Sequence, residues 1–68
     1  MDKIVGQSKI GKYTVLYLEP NPNRYFMDYR KYKIKDREYE PVPVYDAKNT
    51  IAIITDEKQF VDETVEYI

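Results

Sequence analysis

The run Lys12-Tyr13-Thr14-Val15-Leu16-Tyr17-Leu18-Glu19 constrains this chain more than any other stretch. β-Branched and aromatic side chains dominate it, and these suit a pleated strand. Alternation puts Tyr13, Val15 and Tyr17 on one face and Thr14, Leu16 and Leu18 on the other. Both faces are apolar, so the run is expected to be a central strand with cover on two sides.

The source of that cover is limited by length. With 68 residues the chain makes one domain, spanning 1–68. A domain of this size buries only about 60% of the surface its unfolded chain exposes. Small domains often compensate with disulfides, bound metal or self-association. The chain has no Cys and no His, which removes disulfides and thiolate or imidazole metal sites. Self-association is what remains.

The rest of the chain reads as further strands and one helix. Lys3–Lys9 is a strand candidate, separated from the central one by a turn at Ile10-Gly11-Lys12. Glu19-Pro20-Asn21-Pro22-Asn23 stops the chain. Arg24–Asp28 fits either a helical turn or an extended arm. Tyr29–Asp36 alternates, with Arg30, Tyr32 and Ile34 on one face and Lys31, Lys33 and Lys35 on the other. Asp36-Arg37-Glu38 is expected to turn. Pro41-Val42-Pro43-Val44-Tyr45 is an edge strand at best, because two prolines lack N–H donors. Asp46–Asn49 fits a hairpin connection, and Thr50–Thr55 a buried strand with Ile51 and Ile53 opposed to Ala52 and Ile54.

From Asp56 to Ile68 the apolar residues Phe60, Val61, Thr64, Val65 and Ile68 fall on one helical stripe. Asp56 and Gln59 have capping-box spacing. Glu63 and Glu66 sit poorly near the negative end of such a helix. The expected fold is α+β: a four- to five-stranded antiparallel sheet with one C-terminal helix packed on one face. Such a helix covers only one side of the sheet. The other side, with Tyr13, Val15, Tyr17 and, depending on register, Ala52 and Ile54, is too apolar to face water without a reason.

Tyrosine supplies eight of the chain's aromatic residues against two Phe and no Trp, and its apolar ring and polar tip suit half-wet surfaces. Charge is uneven. Arg24–Arg37 carries six cations against two acids, and Glu38–Ile68 carries eight acids against two lysines. Attraction between these halves, within the fold or between copies, accounts for the asymmetry without a ligand.

These features support a small non-enzymatic binding module, accessory, regulatory or inhibitory, that self-associates or takes a protein partner. Its contact residues are expected to be Tyr13, Val15 and Tyr17, flanked by Tyr29, Arg30, Lys31 and Lys33. The alternative is weak single-stranded nucleic-acid binding through Arg24, Tyr25, Tyr29, Lys31, Lys33, Lys35 and Arg37. There cations interleave with rings that can stack on bases. A structural part in a larger assembly is a third reading. Ser8 is the only serine and has no histidine to activate it. No phosphate-binding glycine loop or calcium loop is present, so no catalytic residue, cofactor, metal or small-molecule substrate is expected. No apolar run approaches the ~20 residues of a membrane span, and the first residues lack a signal-peptide core. A cytoplasmic protein is expected.

Overall fold

A computed structural model describes residues 2–22, 31–44 and 49–68. They form six strands: β1 (Asp2–Ile10), β2 (Tyr13–Leu18), β3 (Tyr32–Ile34), β4 (Arg37–Tyr39), β5 (Thr50–Ile54) and β6 (Thr64–Tyr67). All join one antiparallel sheet in the order β4-β3-β6-β1-β2-β5.

Two tight turns set the hairpins. Gly11 has φ 58° while Lys12 has no positive φ. Glycine at the first of two loop positions is the pattern of a type II′ turn, whose twist matches the strands it joins. Lys35 and Asp36 have φ 53° and 64°, the paired left-handed conformations of a type I′ turn. The turn expected at Asp36-Arg37-Glu38 therefore lies earlier, and Arg37 and Glu38 belong to β4. In β1, Ile4 pairs with Leu18 and Gly6 with Tyr17. Val5 is the extra residue of a β-bulge and faces outward, exposed.

The sheet is rolled. Laid flat, six strands about 4.8 Å apart would span about 24 Å between the outermost axes. Yet the chain passes from Tyr39, on the edge strand β4, to Val42, whose N–H donates to Ala52 O of the opposite edge strand β5 at 3.2 Å. Three residues reach at most about 11 Å, so the two edges must curl toward each other. Pro41 and Pro43 bracket Val42 and lack donors, which confines this contact to one bridge.

Rolling explains the core. Ile4, Leu16, Leu18, Tyr32, Ile34, Tyr39, Ile51, Ile53 and Val65 point inward and are buried together. Phe60, fully buried, joins them from the connection between β5 and β6. The Gln7 side chain fixes that connection. Its Nε2 donates to Lys58 O at 2.6 Å, and its Oε1 accepts from Phe60 N at 2.7 Å. The Phe60 ring meets Tyr39 edge-on, with centroids 6.1 Å apart.

The expected C-terminal helix is absent: the described residues are all strand, turn or irregular. Over the described residues the fold is therefore all-β with six strands, rather than α+β with four or five and a C-terminal helix. Burial shows why. Phe60 and Val65 are buried, as a helix stripe requires, but Thr64 and Ile68 are exposed, while Val65 and half-buried Tyr67 follow a period of two. Asp62 has φ 75°, which a right-handed helix excludes. Glu63 N donates to Phe60 O at 2.9 Å, closing a turn there. As a strand, residues 64–67 pair with both β1 and β3. A helix would leave both those edges without backbone partners. Thr55 caps a short turn rather than a helix, its hydroxyl accepting from Glu57 N at 3.1 Å.

Asp2 holds β1 to β6. It is a buried carboxylate. Tyr67 donates its hydroxyl to Asp2 Oδ2, and Asn21 Nδ2 donates to Oδ1 at 3.3 Å. Replacing Asp2 with alanine deprives both donors of their acceptor and is expected to cost about 1–3 kcal/mol. Urea unfolding checks this; a change under about 0.5 kcal/mol would show the cluster to be inert.

Candidate functional site

The sheet has an outer face as well as a core. Register places three cross-strand rows there on β1, β2 and β5. Gly6, Tyr17 and Thr50 form one row, Ser8, Val15 and Ala52 the next, and Ile10, Tyr13 and Ile54 the third. None of these nine residues carries a formal charge. β2 thus turns Tyr13, Val15 and Tyr17 to one side, opposite Thr14, Leu16 and Leu18, which are buried. Ile10 is 61% exposed, Ile54 55% and Tyr17 42%. Ala52 is buried, with Val42 beside it.

The face tapers. Tyr17 lies down across β1: its Cδ2 is 3.6 Å from where a side chain on Gly6 would begin. Its hydroxyl lies 3.1 Å from Ser8 Oγ. At the other end Ile10, Tyr13 and Ile54 all project large side chains. Lys12 Nζ lies over the Tyr13 ring, 5.6 Å from its centroid, so a cation adjoins the face at this end.

The basic segment is arranged differently. Arg24, Tyr25, Tyr29 and Arg30 lie outside the described residues. Lys31, Lys33, Lys35 and Arg37 are each set beside an acid or a ring. Lys31 Nζ is 3.4 Å from Glu40 Oε1. Lys33 has Glu38 of β4 on one side and Glu66 of β6 on the other. Arg37 lies over the Tyr39 ring at 5.5 Å. Lys35 leaves the face of Lys33 because it sits in the type I′ turn. Its Nζ donates to Glu57 Oε1 at 2.9 Å and to Gln59 O at 2.5 Å, and lies 5.4 Å from the Phe60 ring centroid. The expected row of three lysines on one strand face is thus broken. A shallow polar depression of about 210 Å³, lined by Lys33, Lys35, Asp36, Glu63, Thr64 and Glu66, mixes both signs.

The Lys35–Glu57 pair joins the β3–β4 hairpin to the connection that carries Phe60. The Lys35 ammonium holds the Glu57 carboxyl below its ordinary 4.5. Tyr39 donates its hydroxyl to Glu57 Oε2 at 3.1 Å. Burial pushes the Tyr39 phenol above its ordinary 10.0. The two shifts act at opposite ends of the pH scale. Depression at Glu57 gives stability that is present above pH 4.5 and is lost as pH falls through the lower folded value. Elevation at Tyr39 gives stability that is present below pH 10.0 and is lost as pH rises through the higher folded value. Acid titration of Lys35→Met against the parent checks the first effect. The variant is expected to lose less stability below pH 4.5; parallel curves would mean that the pair does not couple to folding.

No known family model, curated protein or solved structure matches this chain. The site must therefore be judged on its own geometry. Among the described residues no group of three or more Asp or Glu side chains is placed to hold a metal ion. No helix among the described residues is long and apolar enough to cross a membrane.

The sequence alone suggests a turn at Ile10-Gly11-Lys12 and does not connect Gly6, Ser8 and Thr50 to the face. The signal was the glycine turn. A two-residue loop at Gly11-Lys12 fixes Ile10 opposite Tyr13 and, two residues on, Ser8 opposite Val15.

Proposed function

We propose that this chain is a small binding module that acts without catalysis and engages a protein through the outer face of β1, β2 and β5. One observation carries the reading: Ile10, Tyr13 and Ile54 form a continuous row of large side chains at the end of an uncharged face, and both isoleucines are more than half exposed. Exposed isoleucines scattered singly need no explanation, but a contiguous patch marks an interaction surface. Tyr17 adds a ring whose hydroxyl is already engaged within the face, so a partner can cover it without stranding a polar group. The absence of His and Cys supports a non-catalytic role, in a cytoplasmic setting. The cations in and beside the β3–β4 hairpin lie among carboxylates and rings, which weakens the case for a nucleic-acid groove there.

Lysine at position 54 tests the reading, because Ile54→Lys changes a side chain already mostly in water. Immobilised parent protein is expected to capture a discrete protein from its source cells, itself or another. Ile54→Lys should lose that capture, and Ile68→Lys, exposed but just past the end of β6, should keep it. Equal capture by all three forms, or retention of oligonucleotides alone, would overturn the assignment.

A further inference from the structure

The sheet has two edge strands, and it ends them differently. β4 is three residues long and carries Arg37 and Glu38, both exposed. Short, charged edges resist pairing with another chain. β5 has neither protection. The run Thr50-Ile51-Ala52-Ile53-Ile54-Thr55 has no charge, no proline and no glycine, and all but Ala52 are β-branched. A six-residue segment of that kind on an open edge is a template on which identical segments stack.

Residues 40–44 cross that edge. Val42 N donates to Ala52 O at 3.2 Å, and the two residues form a bridge. Backbone groups alternate sides along a strand. Those of Thr50, Ala52 and Ile54 therefore point to the edge, and those of Ile51 and Ile53 point to β2. Asn49 O, which accepts from Leu18 N at 2.8 Å, agrees with this alternation. The crossing covers the middle of β5: Ala52 is 2% exposed, while Ile54, two residues on, is 55% exposed. The same alternation turns the backbone groups of Val42 toward β5 and those of Pro41 and Pro43 away from it. A strand laid outside the crossing segment would meet no N–H from either proline. Where the segment begins, Lys31 Nζ lies 3.4 Å from Glu40 Oε1.

We propose that residues 40–44 are a strap that closes β5 against strand addition by a second copy of the chain. The strap holds β5 by a backbone bond at its centre, and prolines keep the next strand from pairing with the strap itself. With Val42 released, the outward groups of Thr50, Ala52 and Ile54 form an open ladder. Another β5 fits that ladder, because identical uncharged strands set no like charges opposite one another. This device concerns the edge of the sheet and stands apart from the binding face.

Val42→Pro tests this, since it removes the N–H that the strap gives to β5 and alters none of the six strands. Parent and variant are agitated at about 100 μM and followed by thioflavin fluorescence and by the protein left in solution. The variant is expected to form β-rich aggregates at least about tenfold sooner than the parent. Adding Ile54→Lys to Val42→Pro charges the edge and should restore the parent's lag. Adding Ile10→Lys, which lies on the outer face away from the edge, should not. Hydrogen exchange of the parent gives a reading that needs no variant to fold. The Val42 amide should exchange at least about tenfold more slowly than those of Glu40 and Val44, and the amides of Ile51 and Ile53 more slowly than those of Thr50 and Ile54 by a similar factor. A fast Val42 amide, or slow ones at Thr50 and Ile54, would overturn the strap, and these rates alone decide if Val42→Pro loses the parent's circular dichroism. A folded Val42→Pro with the parent's lag would overturn it too, as would equal rescue by Ile10→Lys, which would move the contact from the edge to the face.

Discussion

Phe60→Ala is expected to strip the protein of a large part of its stability. Phe60 is fully buried, lies outside every strand, and is the only ring that the β5–β6 connection sends into the core. Truncating a buried Phe costs about 3–5 kcal/mol, because lost transfer energy and a residual cavity add together. A domain of this length has a total stability of only about 3–10 kcal/mol. The loss extends beyond the ring. Gln7 would still bind the backbone at Lys58 and Phe60, but the segment would have nothing to bury beneath it. Tyr39 would lose its edge-on neighbour, and Lys35 the ring beneath its ammonium. Urea titration followed by circular dichroism gives the answer. A variant within about 1 kcal/mol of the parent would mean that the rolled sheet closes its core without this plug.

Glu66→Pro is expected to cost about 3 kcal/mol or more, while Glu66→Ala should cost under about 0.5 kcal/mol. The Glu66 side chain is exposed, so the alanine variant isolates the side chain and the proline variant the backbone. β6 has a partner on each side, β1 through Asp2 and Lys3 and β3 through Tyr32 and Lys33. Proline removes a donor and forces its ring into the ladder of an interior strand, where proline is essentially not found. Thermal unfolding of the three proteins side by side is sufficient. A proline variant that melts with the parent would show that β6 is dispensable to the sheet.

Where a residue's neighbours in space are also its neighbours in sequence, the chain is legible. β2 is read from alternation alone, and the split of Ile51 and Ile53 from Ala52 and Ile54 follows in the same way. The outer face of β2 is legible for the same reason. The C-terminal residues are not, because Phe60, Val61, Val65 and Ile68 have helical spacing, while the extended alternation is confined to residues 64–67. Thr64 and Ile68 distinguish the two, and only burial in the folded state reveals them. Local signals did lean toward a strand: Thr64 and Val65 are β-branched, and Glu63 and Glu66 oppose a helix end. What sequence hides entirely is that β1 and β3 need a common partner between them. The basic segment fails similarly. Its cations are visible, but Glu57 beside Lys35 and Glu66 beside Lys33 come from distant parts of the chain.

The placing of β6 between β1 and β3 bears on how the protein is made. Before residues 64–67 leave the ribosome, the sheet exists only as two pieces, β1-β2-β5 and the β3–β4 hairpin. The hairpin has strands of three residues, too short to persist alone in water. Both pieces present raw edges to other nascent chains. Assembly must wait for β6, and its pairing with β1 joins residues about sixty positions apart, so folding should be slow for a sheet of this size.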